Sequence, residues 1–454
     1  MAGEANGLIV EQYSDDIEFR DCPVLESAAT STATPVSFDF LETVIEGIDN
    51  MNPLREAKRT IFREPGRKQQ RLELRRSMRR WIHLLTETNS VAEMAVRAME
   101  QSNVAEALWK GNLKKVLEAI RDLEQSYRAV QLFFKNAEAS KLKNVVFVNA
   151  PMHKLTDLED PLFIEDIARE LKNNYDRLDL RHNYSLMVIP GYLKSNVVLN
   201  KWAKMAYENK VMLITDFVNA ETPDDVLDLF SSAELTSADP QKANVIMTCN
   251  YIVGRGKNVE LGEQDDIYIP GSAALSGKMY CTKLSQPVAG KTYGMLEEVQ
   301  SVRFDQQKAD ISLLEDAGLV PIVGEWGRVM PFSAKTLFTG DNLGMKTYSV
   351  VRVFDFIAKV LSDFLNRRAF ELWNSRMEKN LRSQIVKFLD GIQGPDKLIE
   401  KFQIIRFERD EAQKDRIYVD IHITPFFPAK SFLVKLDGYK GDDGEEWKAE
   451  FRQQ

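Results

Sequence analysis

The sequence predicts an α/β protein, α+β overall. It reads as a helical N-terminal region, a central and mainly parallel α/β sheet domain, and a C-terminal long helix followed by a β-hairpin. Three observations carry this. The short apolar runs NVVFVNA (144–150), YSLMVI (184–189), VMLITD (211–216) and NVIMTCNY (244–251) alternate with helical stretches, the order of parallel strands joined by crossovers. Val116, Ile120, Leu123, Tyr127 and Val130 recur at the helical period. Near the end, RIYVDIHITPFFPAKSFLVKL (416–436) alternates apolar and polar residues with period two.

The 454 residues can fill more than one core. A net charge of -8 argues against a general nucleic-acid binder, which needs a basic surface. The three cysteines, Cys22, Cys249 and Cys281, are widely spaced and odd in number, which fits a reducing compartment and no disulfide framework. No apolar run is long enough for a membrane span, and the start lacks a basic, apolar signal core. The expectation is a cytoplasmic protein without membrane insertion.

Residues 1–37 form an acidic arm ending in ESAATSTATPVS, too poor in apolar residues to order alone. Within it, GLIVEQY (7–13) places Leu8, Ile9 and Val10 together, either as a strand awaiting a foreign edge or as incidental apolar residues in a tail. Residues 38–140 read as the helical region. Ser37 caps a short helix that sets Phe38, Leu41, Ile45 and Ile48 on one face, and Pro53 ends it. After Pro65 and Gly66 comes the basic stretch RKQQRLELRRSMRRWIHLL, either a solvated helix face or a surface for an acidic partner. A long helix runs over 104–134. Residues 141–265 form the central α/β domain, with helices over 196–208 and from Pro223. In the last region, 266–454, loops precede a long helical stretch over 348–389 and three strand candidates, FQIIRFE, DRIYVDIHIT and SFLVKL.

Reactive constellations are sparse. There is no G-x-G-x-x-G and no phosphate-binding G-x-x-x-x-G-K-[ST]. YIVGRGKN (251–258) follows a strand but lacks the helix start that would present amides to a phosphate. His83, His153, His182 and His422 have no metal-ligand spacing, C-x-x-C is absent, and so is G-x-S-x-G. Asp216 ends a strand where α/β enzymes often place catalytic groups, yet nothing converges on it. The expectation is no catalytic, cofactor or metal site; an α/β nucleotide-binding enzyme using Asp216 and the Gly254 loop is the alternative from another class.

The terminal ribbon poses a different question. Ile417, Val419, Ile421 and Ile423, then Phe432, Val434 and Leu436, alternate with polar neighbours, and Pro425 and Pro428 bracket a corner between them. Such a ribbon either closes a sheet of its own or offers an edge to a strand from another chain.

Order along the chain favours the second. ISLLEDAGLVPIVGEWGRVMPFSAKTLF (311–338) resembles the contractile tail sheath segment in which a helix, a Gly-x-x-Pro stretch (318–321) and an Ala-Arg-Thr-Leu strand succeed one another. Here that last piece is Ala334, Lys335, Thr336 and Leu337. IPGSAALSGKMYCTKLSQPVAGK (269–291) resembles the sheath Pro-x-Gly-x-x-Ala-Gly-x-x-Ala segment, with Ser276 and Gly277 in place of Ala-Gly. A Val-x-Arg helix start (350–352) and a proline-bracketed ending (419–433) complete the succession, which covers the C-terminal two fifths.

The chain is most similar to the large sheath subunits of bacterial type VI secretion, the TssC/VipB-like family. The resemblance implies a structural protein that pairs with a small sheath subunit (TssB/VipA-like). Neighbouring copies would stack in six-fold helical rings around an inner tube (Hcp-like) above a baseplate. It implies strand exchange through Ile417, Val419, Ile421, Ile423, Phe432, Val434 and Leu436, with Leu8, Ile9 and Val10 as a donated strand. It also implies recycling by an AAA+ unfoldase (ClpV-like), with Phe38, Leu41, Ile45 and Ile48 as a candidate handle. A phage-like tail sheath protein that polymerises alone is the alternative within that architecture.

Overall fold

A computed structural model describes residues 65–138, 142, 145–430, 432–440 and 445–453. The chain divides into two units, residues 1–107 and 108–454. Of the first, the described part is α1 (Lys68–Glu87), entered through a 3-10 turn at Pro65–Arg67, and the start of α2 (Val91–Ala119). A reciprocal cap opens α2: Ser90 Oγ accepts from the Glu93 N–H at 3.1 Å, and Glu93 Oε2 accepts from the Asn89 N–H at 3.1 Å. The candidate helix over 38–48 and the GLIVEQY strand lie outside the described residues.

In the second unit α2 passes into α3 (Arg121–Asn136) through Ile120, whose ψ of 4° leaves the helical range. The single helix expected over 104–134 is therefore two. The expected strand over 144–150 is also corrected, since residues 145–150 run without strand pairing. Phe147 lies instead against Phe133 and Phe134 of α3, with ring centroids 6.1 and 5.5 Å apart. β-Branched composition describes what fits a sheet, and here the apolar contact is a helix.

Beyond α4 (Met152–Thr156) and α5 (Leu162–Tyr175), the alternating pattern appears as read: β1 (Leu186–Ile189), α6 (Asn196–Glu208), β2 (Met212–Asp216), α7 (Pro223–Ala233) and β3 (Val245–Cys249). Ser195 caps α6, and Thr222 with Asp225 forms a capping box on α7, whose first residue is Pro223. Then come β4 (Ile252–Arg255), β5 (Ile267–Ile269), α8 (Gly271–Cys281), the short α9 (Gly290–Tyr293) and α10 (Lys308–Asp316). β6 (Val320–Glu325) and β7 (Arg328–Pro331) close the sheet.

The five-stranded sheet has the order β1-β2-β3-β6-β7. β1, β2, β3 and β6 run parallel, and β7 returns antiparallel. Trp326 and Gly327 make that return with φ of 52° and 69°, the two left-handed residues a type I′ turn demands. Along β2 the apolar side chains serve both faces. Leu213 joins the core of Ile164, Leu199, Trp202, Val226, Phe230 and Leu314, from α5, α6, α7 and α10. Met212 and Ile214 join Leu275, Met279, Tyr348 and Val351 on the other side. Helices on both faces explain why these strands read as continuous apolar runs.

A third cluster seats α3 on β4, β5 and α8, through Ala129, Leu132, Ile252, Ile269, Ala273 and Ala274. Gly277 makes this closeness attainable, because a Cβ there would lie 2.3 Å from the Phe133 carbonyl oxygen.

The expected long helix over 348–389 is broken into α11 (Tyr348–Asn366) and α12 (Ser375–Ile392). Phe370 between them takes a φ of 68°, and Asn374 restarts the helix by accepting from the Arg376 and Met377 N–H groups. Four strands follow: β8 (Ile399–Arg409), β9 (Ile417–Pro425), β10 (Phe432–Lys440) and β11 (Glu445–Gln453). No helix among the described residues is long and apolar enough to cross a membrane.

Candidate functional site

The C-terminal strands form two antiparallel ribbons. β8 pairs with β9, and β10 pairs with β11. The two runs flanking Pro425 and Pro428 do not face each other as one hairpin; each takes a different partner. Proline cannot donate to a ladder, so the corner at 425–428 ends β9 and releases the chain in a new direction.

The β8–β9 ribbon is anchored on one face. Val419, Ile421 and Ile423 pack with Phe402 and Ile404 against Val353, Ile357, Leu381, Ile385 and Leu389 of α11 and α12. Ile417 lies half-buried at the far end, opposite Arg409. For Val419, Ile421 and Ile423 the inward face of the alternation lies on helices of their own chain. Phe432, Val434 and Leu436 sit in β10 opposite Gln453, Phe451 and Ala449. Leu8, Ile9, Val10, Phe38, Leu41, Ile45 and Ile48 lie outside the described residues.

What the ribbons leave open is backbone. Neither shares a ladder with the five-stranded sheet or with the other. Apart from one isolated bridge between Gln393 and Ile399, their outer edges carry no partner among the described residues. The two edges of the first ribbon differ. β8 shifts register between Ile399 and Lys401 and again between Ile404 and Arg406, while the nine residues of β9 pair without a skip. Bulges twist an edge and spoil it as a template. β9 is thus the regular edge, roughly 30 Å long at 3.4 Å per residue. The strand missed in the sequence, β11, carries the same kind of signal in EEWKAEFRQ, where Trp447, Ala449 and Phe451 alternate with charged residues.

The enzyme alternative can be read at the same resolution. Asp216 is fully buried. Its Oδ1 accepts from the Ser272 N–H at 2.8 Å and from Thr248 Oγ1, and its Oδ2 accepts from the Gly191 N–H at 2.9 Å and Ser272 Oγ at 2.5 Å. Burial pushes the carboxyl up while these four donors pull it down, and burial prevails. All four donors belong to the fold: the loop after β1, β3, and the start of α8. Asp216 is a clamp across the carboxyl ends of the strands.

Gly254 lies inside β4, paired antiparallel with β5. A Cβ there would come 2.1 Å from Ile269 Cδ1. Its glycine serves strand packing, and its carbonyl accepts from Arg128 Nη1 at 3.1 Å. Next to it Arg255 bridges Glu263 at 2.7 Å and Glu124 of α3 at 3.0 Å. The Gly254 loop of the enzyme alternative is thus a paired strand.

Three family models match the chain: the TssC/VipB-like N-terminal region over residues 25–113, the type VI secretion system TssC/VipB central domain over 115–339, and the TssC/VipB-like C-terminal domain over 347–453. No curated protein matches it. Among solved structures it is similar to a chain of the contracted helical sheath of the anti-feeding prophage. The identity is 16% over 69% of this chain and 81% of that one, with a TM-score of 0.46. A chain of the anti-feeding prophage baseplate gives 14%, 69%, 79% and 0.46 in the same order. A chain of the contracted PVC sheath complex, an extracellular contractile injection system, gives 15%, 54%, 68% and 0.41. Family membership rests on the three sequence models, which succeed one another from near the start to the last strand: the chain belongs to the TssC/VipB family of type VI secretion sheath proteins.

Proposed function

We propose that the chain is the large subunit of a contractile type VI secretion sheath. In this reading it polymerises with a small sheath subunit of the TssB/VipA kind, and with copies of itself in six-fold rings, around an Hcp-like inner tube on a baseplate, in the cytoplasm. The observation that carries the reading is the bulge-free outer edge of β9, held by its inward side chains on α11 and α12. An edge of that length and regularity accepts a foreign strand by β-augmentation. The β10–β11 ribbon adds a second set of edges, and Leu8, Ile9 and Val10 are the proposed donated strand.

The work of such a subunit is mechanical. Strand joints hold neighbours together through backbone hydrogen bonds while α/β bodies rotate into a better-packed array. No bond is made or broken by the chain itself. Recycling by a ClpV-like unfoldase, gripping the segment that carries Phe38, Leu41, Ile45 and Ile48, completes the proposal.

The test is co-expression with a small sheath subunit and negative-stain microscopy. Tubes form from the pair, and not from a chain lacking residues 416–454, which removes β9 with the β10–β11 ribbon, although its circular dichroism shows the α/β body still folded. Tubes from the truncated pair would refute the strand-joint reading. Tubes from the full chain alone would identify a self-polymerising, phage-like sheath.

A further inference from the structure

A cavity of about 180 Å³ opens at the amino ends of β1 and β2, at the opposite end of the sheet from Asp216. Its lining is unusual in charge. Lys210, Arg352 and Lys359 line it with Asp355 as the one carboxylate, among Leu180, Met212, Leu284 and Phe356. Three cations against one anion leave a surplus of two in a largely apolar space.

Two of these cations are not snorkelling to water. Arg352 and Lys359 are 7% and 8% exposed. The Lys359 ammonium donates to the Tyr184 carbonyl at 2.7 Å, and Arg352 Nη2 donates to the Met279 carbonyl at 3.1 Å. Asp355 is already engaged: its Oδ2 accepts from Asn244 Nδ2 at 2.7 Å, and Lys210 stands 3.9 Å from its Oδ1. Arg352 Nη1 is buried with no hydrogen-bond partner, and so is Asn183 Oδ1 on the same wall. Turned over, the Asn183 amide presents N–H donors instead.

A buried guanidinium nitrogen without an acceptor, inside an excess of positive charge, is costly unless something negative fills the space. Burial draws Lys359 down to about 8 and Arg352 down to about 10, so both still carry charge near neutral pH. At roughly 30 Å³ per liquid water, the cavity takes a phosphate-sized ion with water to spare. Ser185 on its rim is exposed, which gives an entry.

We infer that this cavity is a binding site for a small tetrahedral oxyanion of the phosphate or sulfate class, held by Arg352, Lys359 and Lys210. The guanidinium fork matches two oxygens of such an ion, and the two ammonium groups supply point charges. Because the site joins α11 to the starts of β1 and β2, occupancy fastens that helix to the sheet.

The test uses the full-length chain and inorganic phosphate, with sodium chloride at matched ionic strength as reference. Phosphate raises the unfolding midpoint saturably, by about 1.5–2 °C once its concentration is ten times the dissociation constant. Equilibrium dialysis finds one phosphate per chain. Lys359→Met and the half-exposed Lys210→Met each weaken it about tenfold, and Arg352→Met abolishes it. Should Arg352→Met fail to fold, the two lysine variants decide. A midpoint that rises linearly with phosphate, equally in wild type and variants, is the general salting effect and would overturn the assignment. So would stoichiometric dialysis binding that survives both lysine changes.

Discussion

Replacing Asp216 with asparagine tests whether this carboxylate holds the fold or performs chemistry. Each of its oxygens accepts from one hydroxyl and one backbone N–H: Thr248 Oγ1 and Ser272 N–H on Oδ1, Ser272 Oγ and Gly191 N–H on Oδ2. A hydroxyl can rotate to accept from an amide NH2, but a backbone N–H cannot. Whichever way the asparagine turns, one of the Ser272 and Gly191 N–H groups meets a donor and loses its acceptor. A buried donor left unsatisfied costs about 1–3 kcal/mol. Asp216→Ala orphans both backbone donors, and at the same cost for each the loss rises to about 2–6 kcal/mol. Thermal unfolding of the full-length proteins, followed by circular dichroism, therefore ranks wild type above Asn above Ala. At about 1–1.5 °C per kcal/mol for a body of this size, the Asn variant falls by about 1–4 °C. Below its midpoint the Asn variant still assembles. Equal midpoints for all three proteins would refute the clamp, and an assembled Asn variant that had lost a turnover would put chemistry back at Asp216.

Two further outcomes follow from the packing of α3. Gly277→Ala drives a Cβ to 2.3 Å from the Phe133 carbonyl oxygen; overpacking costs about 1–3 kcal/mol, against a helix-propensity gain of about 1 kcal/mol. Its midpoint in urea falls, whereas Gly391→Ala, with nothing within 4 Å on α12, holds or rises. The second concerns acid. The Arg255 guanidinium holds Glu263 down to about 2, from an ordinary value of 4.5. A carboxyl depressed in the folded state stabilises it above its unfolded pKa and loses that contribution as pH falls through the folded one. Urea midpoints therefore decline from about pH 4.5 towards about pH 2, and Arg255→Met flattens that part of the curve while lowering the neutral plateau.

The central sheet was legible because its signal is local. Val211, Leu213, Val245 and Met247 lie in short apolar runs separated by capped helices, and strands buried on both faces must look that way. Pairing partners are not local. The alternation of Ile417, Val419, Ile421 and Ile423 marks a strand and its inward face, but nothing in it names Ile399–Arg409 as the neighbour. The run at 144–150 has strand composition and meets aromatic rings of α3 instead. The break between α11 and α12 rests on Asn374, a cap inside an otherwise helical pattern. The cation cavity leaves a trace in the sequence: Arg352, Asp355 and Lys359 stand three and four residues apart, a charged stripe along an apolar helix. Lys210 joins them only through folding.

In the sheath reading proposed above, α11 has a further meaning. Tyr348 and Val351 in its first turns are sunk in the sheet's core, while Val353 and Ile357 carry the terminal ribbon's cluster. A load on the ribbon would thus reach the body through this one helix, shared among the side-chain contacts along it.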